Sequence, residues 1–252
     1  MIIEYARPET VEETIRLLMR SEPKTIPLGG GTYLSQHSEG KVAVVDLQRL
    51  GWNQIIENSG TLEVGAMVTL QQLLESGMLP KAVVSALHHE TGQNMRSQMT
   101  IAGSIVTSDG RSAFTTALLA LNSRLRWIPE EGEVGLGDYL ALRESWAGGL
   151  LIQSVLIPLN GILQMEWVAR SPLDRQVLCV AVCRWPSGRT RVCLGGIGKS
   201  AILAMDGPEP AGADLAVRDA YLNASDAWAS AEYRSTVGME ITRRLLANVE
   251  KE

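Results

Sequence analysis

Apolar residues at Val11, Ile15, Leu17 and Leu18 recur at helical spacing, so one face of a helix running to about Arg20 is expected to be buried. Thr10 is placed as its N-cap, and Glu13 stands where it would complete a capping box. Met1–Ala6 reads as a short strand before this helix. Thr25–Leu28 reads as another after it, running directly into Gly29-Gly30-Gly31. Val42–Leu47 has the apolar texture of a strand buried on both faces. Glu57–Gly60 predicts a turn, Thr61–Gly65 a strand, and Thr69–Glu75 a helix ending at Gly77. Lys81 to about Gly92 is expected to be helical, as is Phe114–Leu121. Met99–Thr107 between them is apolar with glycine inside, and Leu150–Ile157 predicts a strand stopped by Pro158.

The texture then changes. Val177–Arg184 and Arg189–Gly195 predict a β-hairpin across Trp185–Gly188, and Asp214–Ala231 and Met239–Asn248 predict helices. A domain boundary is expected at Leu159–Gly161. The class is α+β with mixed sheets, and no internal repeat is visible.

At 252 residues the chain can bury a substantial core. A net charge of −5 argues against a nucleic-acid footprint or an anionic membrane surface. No apolar run reaches membrane-spanning length, and the first residues lack a basic segment followed by an apolar one, so a cytoplasmic location is expected. Cys179, Cys183 and Cys193 lack CxxC spacing and have no histidine nearby, which reads as small buried apolar residues rather than a metal or iron–sulfur site. His37, His88 and His89 fall in no HExxH or triad setting. No catalytic acid, base or nucleophile is expected from this chain.

The glycine run is the first candidate for chemistry. Three consecutive glycines after a strand bring bare N–H groups together, a concavity suited to anions, although such runs also make plain turns. No GxGxxG with a following helix and acidic residue is present, which disfavours a dinucleotide fold of that type. Cys193-Leu-Gly-Gly-Ile-Gly-Lys-Ser200 differs from a P-loop only at Cys193. It arrives through a hairpin, however, and Gly207-Pro208 would cut short any helix after it.

A second loop pairs with the first. Leu28-Gly-Gly-Gly-Thr-Tyr-Leu34 and Arg96-Ser-Gln-Met-Thr-Ile-Ala-Gly-Ser104 together resemble the two flavin loops of the FAD-binding subunit of the molybdenum hydroxylases, the xanthine dehydrogenase and carbon monoxide dehydrogenase family. Val64–Thr69, Leu151–Pro158, Cys193–Ile197 and Ala231–Arg234 with Arg243–Leu245 are similar to further segments of that family, in the same order. The resemblance implies a two-subdomain FAD-binding fold of the vanillyl-alcohol-oxidase/CO-dehydrogenase flavoprotein type over 1–160 (subdomains about 1–53 and 54–160). A C-terminal antiparallel sheet with helices would follow over 161–252. It implies FAD held by Leu28, Gly29, Gly30, Gly31, Thr32, Tyr33 and Leu34 on one side and by Thr100, Ile101, Ala102, Gly103 and Ser104 on the other, with Asp109 and Ile152 near the flavin. It also implies a molybdopterin-binding large subunit and a [2Fe–2S] small subunit as partners, the chain passing electrons from the clusters to an external acceptor.

Departures from the family pattern concentrate at the flavin loops: Met99 and Ala102 for glycines, Ser104 for asparagine, and Tyr33 for a short acidic residue. Ala113 stands for an aspartate that would meet the ribityl chain, and Trp167 for a lysine near the ring. Arg111 could offer a compensating charge to phosphate, and Tyr33 or Phe114 could stack on the ring. The alternative reading is therefore a degenerate paralogue that has lost flavin and serves as a structural or assembly subunit. A stand-alone flavoenzyme lacks acid–base groups near the loops.

Overall fold

The computed structural model describes residues 1–37, 40–129, 132–143, 150–172 and 174–251. Its first layer is a parallel sheet of β1 (Ile2–Ala6), β2 (Thr25–Leu28) and β3 (Val42–Asp46), ordered β1-β3-β2. Helix α1 (Val11–Leu18) crosses between β1 and β2, and Thr10 accepts the Glu13 N–H as its N-cap. A single turn, α2 (Leu34–His37), follows the glycine run. All five residues of β3 are buried, as its sequence requires of a central strand.

The second layer is an antiparallel sheet ordered β4-β5-β8-β6-β7. Its strands are β4 (Ile55–Asn58), β5 (Thr61–Gly65), β6 (Arg124–Ile128), β7 (Gly132–Gly135) and β8 (Leu151–Pro158). The turn expected at Glu57–Gly60 is shorter than that: β4 runs on to Asn58. Ser59 and Gly60, at φ 50° and 77°, make the two-residue reversal whose twist suits a hairpin. Helices α3 (Leu70–Glu75), α4 (Lys81–Glu90), α5 (Gln93–Arg96), α6 (Ile101–Thr107), α7 (Ala113–Ala120) and α8 (Leu136–Leu142) fill the crossovers. A reciprocal capping box, with both bonds present, opens α3 at Thr69 and Gln72, whereas at Thr10 only the bond from the Glu13 N–H is formed among the described residues. Every residue of α7 is buried, and its N-terminus is held twice, by Ser112 and by the Glu90 carboxylate accepting the Phe114 N–H.

The third layer is antiparallel, β12-β11-β10-β9, built from β9 (Ile162–Val168), β10 (Leu178–Arg184), β11 (Thr190–Gly195) and β12 (Ile202–Gly207). Its central strands alternate in the strict period of two. Leu178, Val180, Val182, Val192 and Leu194 face a core with α9 (Ala213–Ala220) and α10 (Ala231–Val249). Ala181, Cys183 and Cys193 belong to the other core, on the side of α7. Small side chains are needed there, because α7 comes so close that a Cβ on Gly195 would stand 2.7 Å from Thr116 Oγ1.

The C-terminal helices depart from expectation. The first stops at Ala220, where the Tyr221 and Leu222 N–H groups tighten onto the Arg218 and Asp219 carbonyls, and Asp226 then accepts N–H bonds from Trp228 and Ala229 in a separate turn. The second begins at Ala231, eight residues early, capped by Ser230. Gly238 inside it is a packing glycine rather than a break: a Cβ there would meet Val217 and Tyr221 at 3.0 Å. No helix among the described residues is long and apolar enough to cross a membrane.

Candidate cofactor-binding site

A cavity of about 420 Å³ lies between the carboxyl end of β2, helix α6 and the strands β6 and β8. The steric demands on the glycine run can be read off individually. A Cβ on Gly30 would stand 1.6 Å from the Gln98 carbonyl oxygen, and one on Gly29 would stand 2.7 Å from Thr100 Oγ1. Gly31 has φ 71°, the left-handed region that glycine enters without strain. The run is thus sewn to the second loop by direct chain–chain contact. Beyond that seam, the backbone N–H groups of Gly29, Gly30, Gly31 and Thr32 donate to no acceptor among the described residues, and all four residues line the cavity. A cluster of unclaimed N–H donors at one end of a cavity is what a diphosphate requires.

The second wall differs. Thr100 caps α6 by accepting the Gly103 N–H, Ser104 N–H returns to the Thr100 carbonyl, and Ile101 and Ala102 donate to Val68 and Ala66 carbonyls. Its donors are spent on structure, so this wall offers small side chains and shape. The third wall is made by a bulge: the β6–β8 register shifts between Arg126 and Trp127, pairing Trp127 with Ile152. Such a bulge re-aims side chains, and here Trp127, Leu151 and Ile152 line the cavity. The Trp127 ring packs on Tyr139 of α8 at 5.4 Å between centroids. Burial pushes the Tyr139 phenol above its ordinary range, with Arg143 pulling the other way.

Of the residues expected from sequence, Leu28, Gly29, Gly30, Gly31, Thr32, Tyr33, Leu34, Thr100, Ala102, Gly103 and Ile152 come together around this cavity. Ile101 points into the core, and Ser104 is buried with its hydroxyl on the Ile101 carbonyl. Asp109 is elsewhere, in a two-pronged pair with Arg175. Burial pushes its carboxyl up, but Arg175 and the Arg111 N–H outweigh that and hold it below the usual carboxylate range. Trp127, Tyr139 and Arg143 were not expected. The stripe Leu136, Tyr139, Leu140, Arg143 has helical spacing and could have revealed α8 together with the cavity residues Tyr139, inside it, and Arg143, at its C-cap.

The departures from the family pattern lie mostly away from the cavity. Ala113 and Phe114 are fully buried in α7, so Phe114 stacks on no ligand there. Met99 packs against the core, and Trp167 stacks on His89 at 4.6 Å. Arg111 offers nothing to a phosphate: it pairs with Asp226 at 2.5 Å and lies over the Trp228 ring at 4.3 Å. Ala102 and Tyr33 alone among these positions line the cavity. The P-loop-like segment is also structural. Gly196 and Gly198 exchange backbone hydrogen bonds with Gly110, and a strand rather than a helix follows. His88 is exposed, and the side chain of His37 lies outside the described residues. No group of three or more potential metal ligands occurs among the described residues.

The family described as the FAD binding domain in molybdopterin dehydrogenase matches residues 1–160. The YgfM protein of Escherichia coli (strain K12) is 28% identical over 210 residues, covering 82% of this chain and 79% of that protein. The nicotine 6-hydroxylase medium subunit of Paenarthrobacter nicotinovorans is 27% identical over 276 aligned positions, covering 97% of this chain and 96% of that subunit. In fold, a chain of reconstituted CO dehydrogenase from Oligotropha carboxidovorans superposes with a TM-score of 0.82 at 22% identity, covering 98% of this chain and 97% of that one. A chain of quinoline 2-oxidoreductase from Pseudomonas putida 86 gives 0.79 at 21% identity, covering 98% and 96%. With the family match over the first 160 residues and the fold match over nearly all of it, the chain belongs to the FAD-binding medium subunits of the molybdenum hydroxylases.

Proposed function

We infer that the cavity holds FAD and that the chain is an electron-transfer subunit. In this reading it takes electrons from [2Fe–2S] clusters on a small partner subunit and delivers them to an external acceptor. A large molybdopterin-binding subunit oxidises the substrate, and the assembly works in the cytoplasm. The carrying observation is the set of unclaimed N–H groups at Gly29–Thr32, four residues that line a mainly apolar cavity with Arg143 as its one charged lining group among the described residues. The diphosphate would sit on those groups, with Thr100, Ala102 and Gly103 opposite, and the ring would lie toward Trp127 and Ile152. Bound FAD would supply two-electron acceptance, while this chain's residues bind, orient and exclude water. The division into 1–160 and 161–252 fits the start of the third sheet at Ile162.

Against the reading as a flavin-free scaffold speaks the position of the departures: Ala113, Met99, Ser104 and Trp167 lie outside the cavity lining. A visible absorbance spectrum of the purified chain, before and after incubation with FAD and desalting, is the test. Flavin bands are expected to survive desalting in the wild type. Ala102→Leu fills the cavity from its wall and should weaken retention at least about tenfold, near 1.4 kcal/mol, with Tm unchanged. A wild-type chain that retains no added FAD would leave the scaffold reading standing.

A further inference from the structure

The cavity carries one full charge. Its ionisable lining groups among the described residues are Tyr33, Tyr139 and Arg143. Arg143 follows the last residue of α8 and donates from Nη1 to the Ser108 carbonyl at 2.5 Å and from Nη2 to the Lys199 carbonyl. Both partners are neutral, so no described carboxylate cancels its charge, and the two carbonyls fix the guanidinium while other N–H donors remain.

Helix α6 locates that charge. Thr100 at its N-terminal end abuts Gly29, and Ser108 just past its last residue holds Arg143. Eight residues at 1.5 Å per residue put these ends ~12 Å apart, so the N–H cluster and the cation stand at opposite ends of one cavity. The cationic end is also the aromatic one, since Tyr139, on the same helix as the arginine's approach, packs on Trp127. A flavin whose diphosphate lies on the glycine run would extend its ring toward this end. On taking two electrons and one proton the ring acquires a negative charge, and a prepositioned cation favours that form over the neutral oxidised one.

We propose that Arg143 is the counter-charge of the reduced flavin, raising its reduction potential. The proposal rests on the FAD reading above. The experiment is a spectroelectrochemical titration of the full chain loaded with FAD, comparing wild type, Arg143→Gln and Arg143→Lys. Arg143→Gln is expected to lose at least about tenfold in preference for reduced over oxidised flavin. For a two-electron couple that is a midpoint about 30 mV lower. Arg143→Lys should recover most of the loss.

An unchanged midpoint in flavin-loaded Arg143→Gln would overturn the proposal while leaving the FAD reading intact. If that variant releases flavin, the same preference is read as the ratio of dissociation constants for oxidised and reduced FAD. A ratio equal to the wild type's overturns the proposal there too. A wild type that binds no FAD removes both.

Discussion

A methyl group on Gly30 would have to displace the Gln98 backbone, whereas one on Gly29 meets the end of the Thr100 side chain. Gly30→Ala is therefore expected to cost about 2–4 kcal/mol, the range of severe overpacking, and Gly29→Ala about 1 kcal/mol or less, as judged by urea denaturation. The cysteines behave in keeping with their burial. Burial pushes the thiols of Cys183 and Cys193 up to about 12, and that of Cys179 higher still. None should react with a thiol reagent in the native protein at mildly alkaline pH, and all three should react once it is unfolded. The glycine run announced in the sequence that something approaches its backbone. It could not announce that the neighbour is Gln98 of its own chain, because sterics alone do not tell a peptide carbonyl from a phosphate oxygen.

The turn between α9 and α10 is organised around Arg234, which is fully buried. It donates to the carbonyls of Val177, Ala224 and Ala229 and pairs with Asp226 at 2.8 Å. Arg234→Met strands these acceptors and should cost about 3–5 kcal/mol, read as a lowered denaturation midpoint. Burial pushes the Asp226 carboxyl up, but hydrogen bonds from Arg234 and from the Trp228 and Ala229 N–H groups hold it far below the usual range. A depressed folded value means the stabilisation is present above the unfolded value near ~3.9 and is lost as pH falls below it. Asp226→Asn should flatten the acid limb of stability in that window. None of this was legible at the level of pattern: the apolar periodicity of Asp214–Ala231 runs through Tyr221, while the interruption is made by a short polar turn. The early start of the last helix was equally hidden, since Gly238 lies in its interior where Val217 of the neighbouring helix and Tyr221 at that helix's C-cap need the space.

At the scale of the molecule, α7 ties the middle and C-terminal sheets, and α4 reaches the same sheet through His89 against Trp167 of β9. Burial pushes the His89 imidazole below its ordinary range, against a hydrogen bond with Gln176 that raises it. A histidine with a depressed folded value loses its contribution as pH falls through about 6.5, where the unfolded chain takes up its proton first. Between pH ~7.5 and ~5.5 the wild type should lose more Tm than His89→Gln; equal losses would show that this seam does not titrate. The order of layers and most of the cavity were legible because long apolar elements and the two loops carry strong local signals. Short β6, β7 and α8 were not, since charged residues at Arg124 and Arg126 face solvent partners Glu63 and Glu133 and blur the alternation. The seam between Gly30 and Gln98 bears, finally, on descent. Selection for folding alone would preserve those glycines, so a lineage that abandoned its flavin would go on displaying the signature of one. In this family, loss of the cofactor should be sought in the side chains that face the cavity, beginning with Ala102 and Arg143, and not in the glycines.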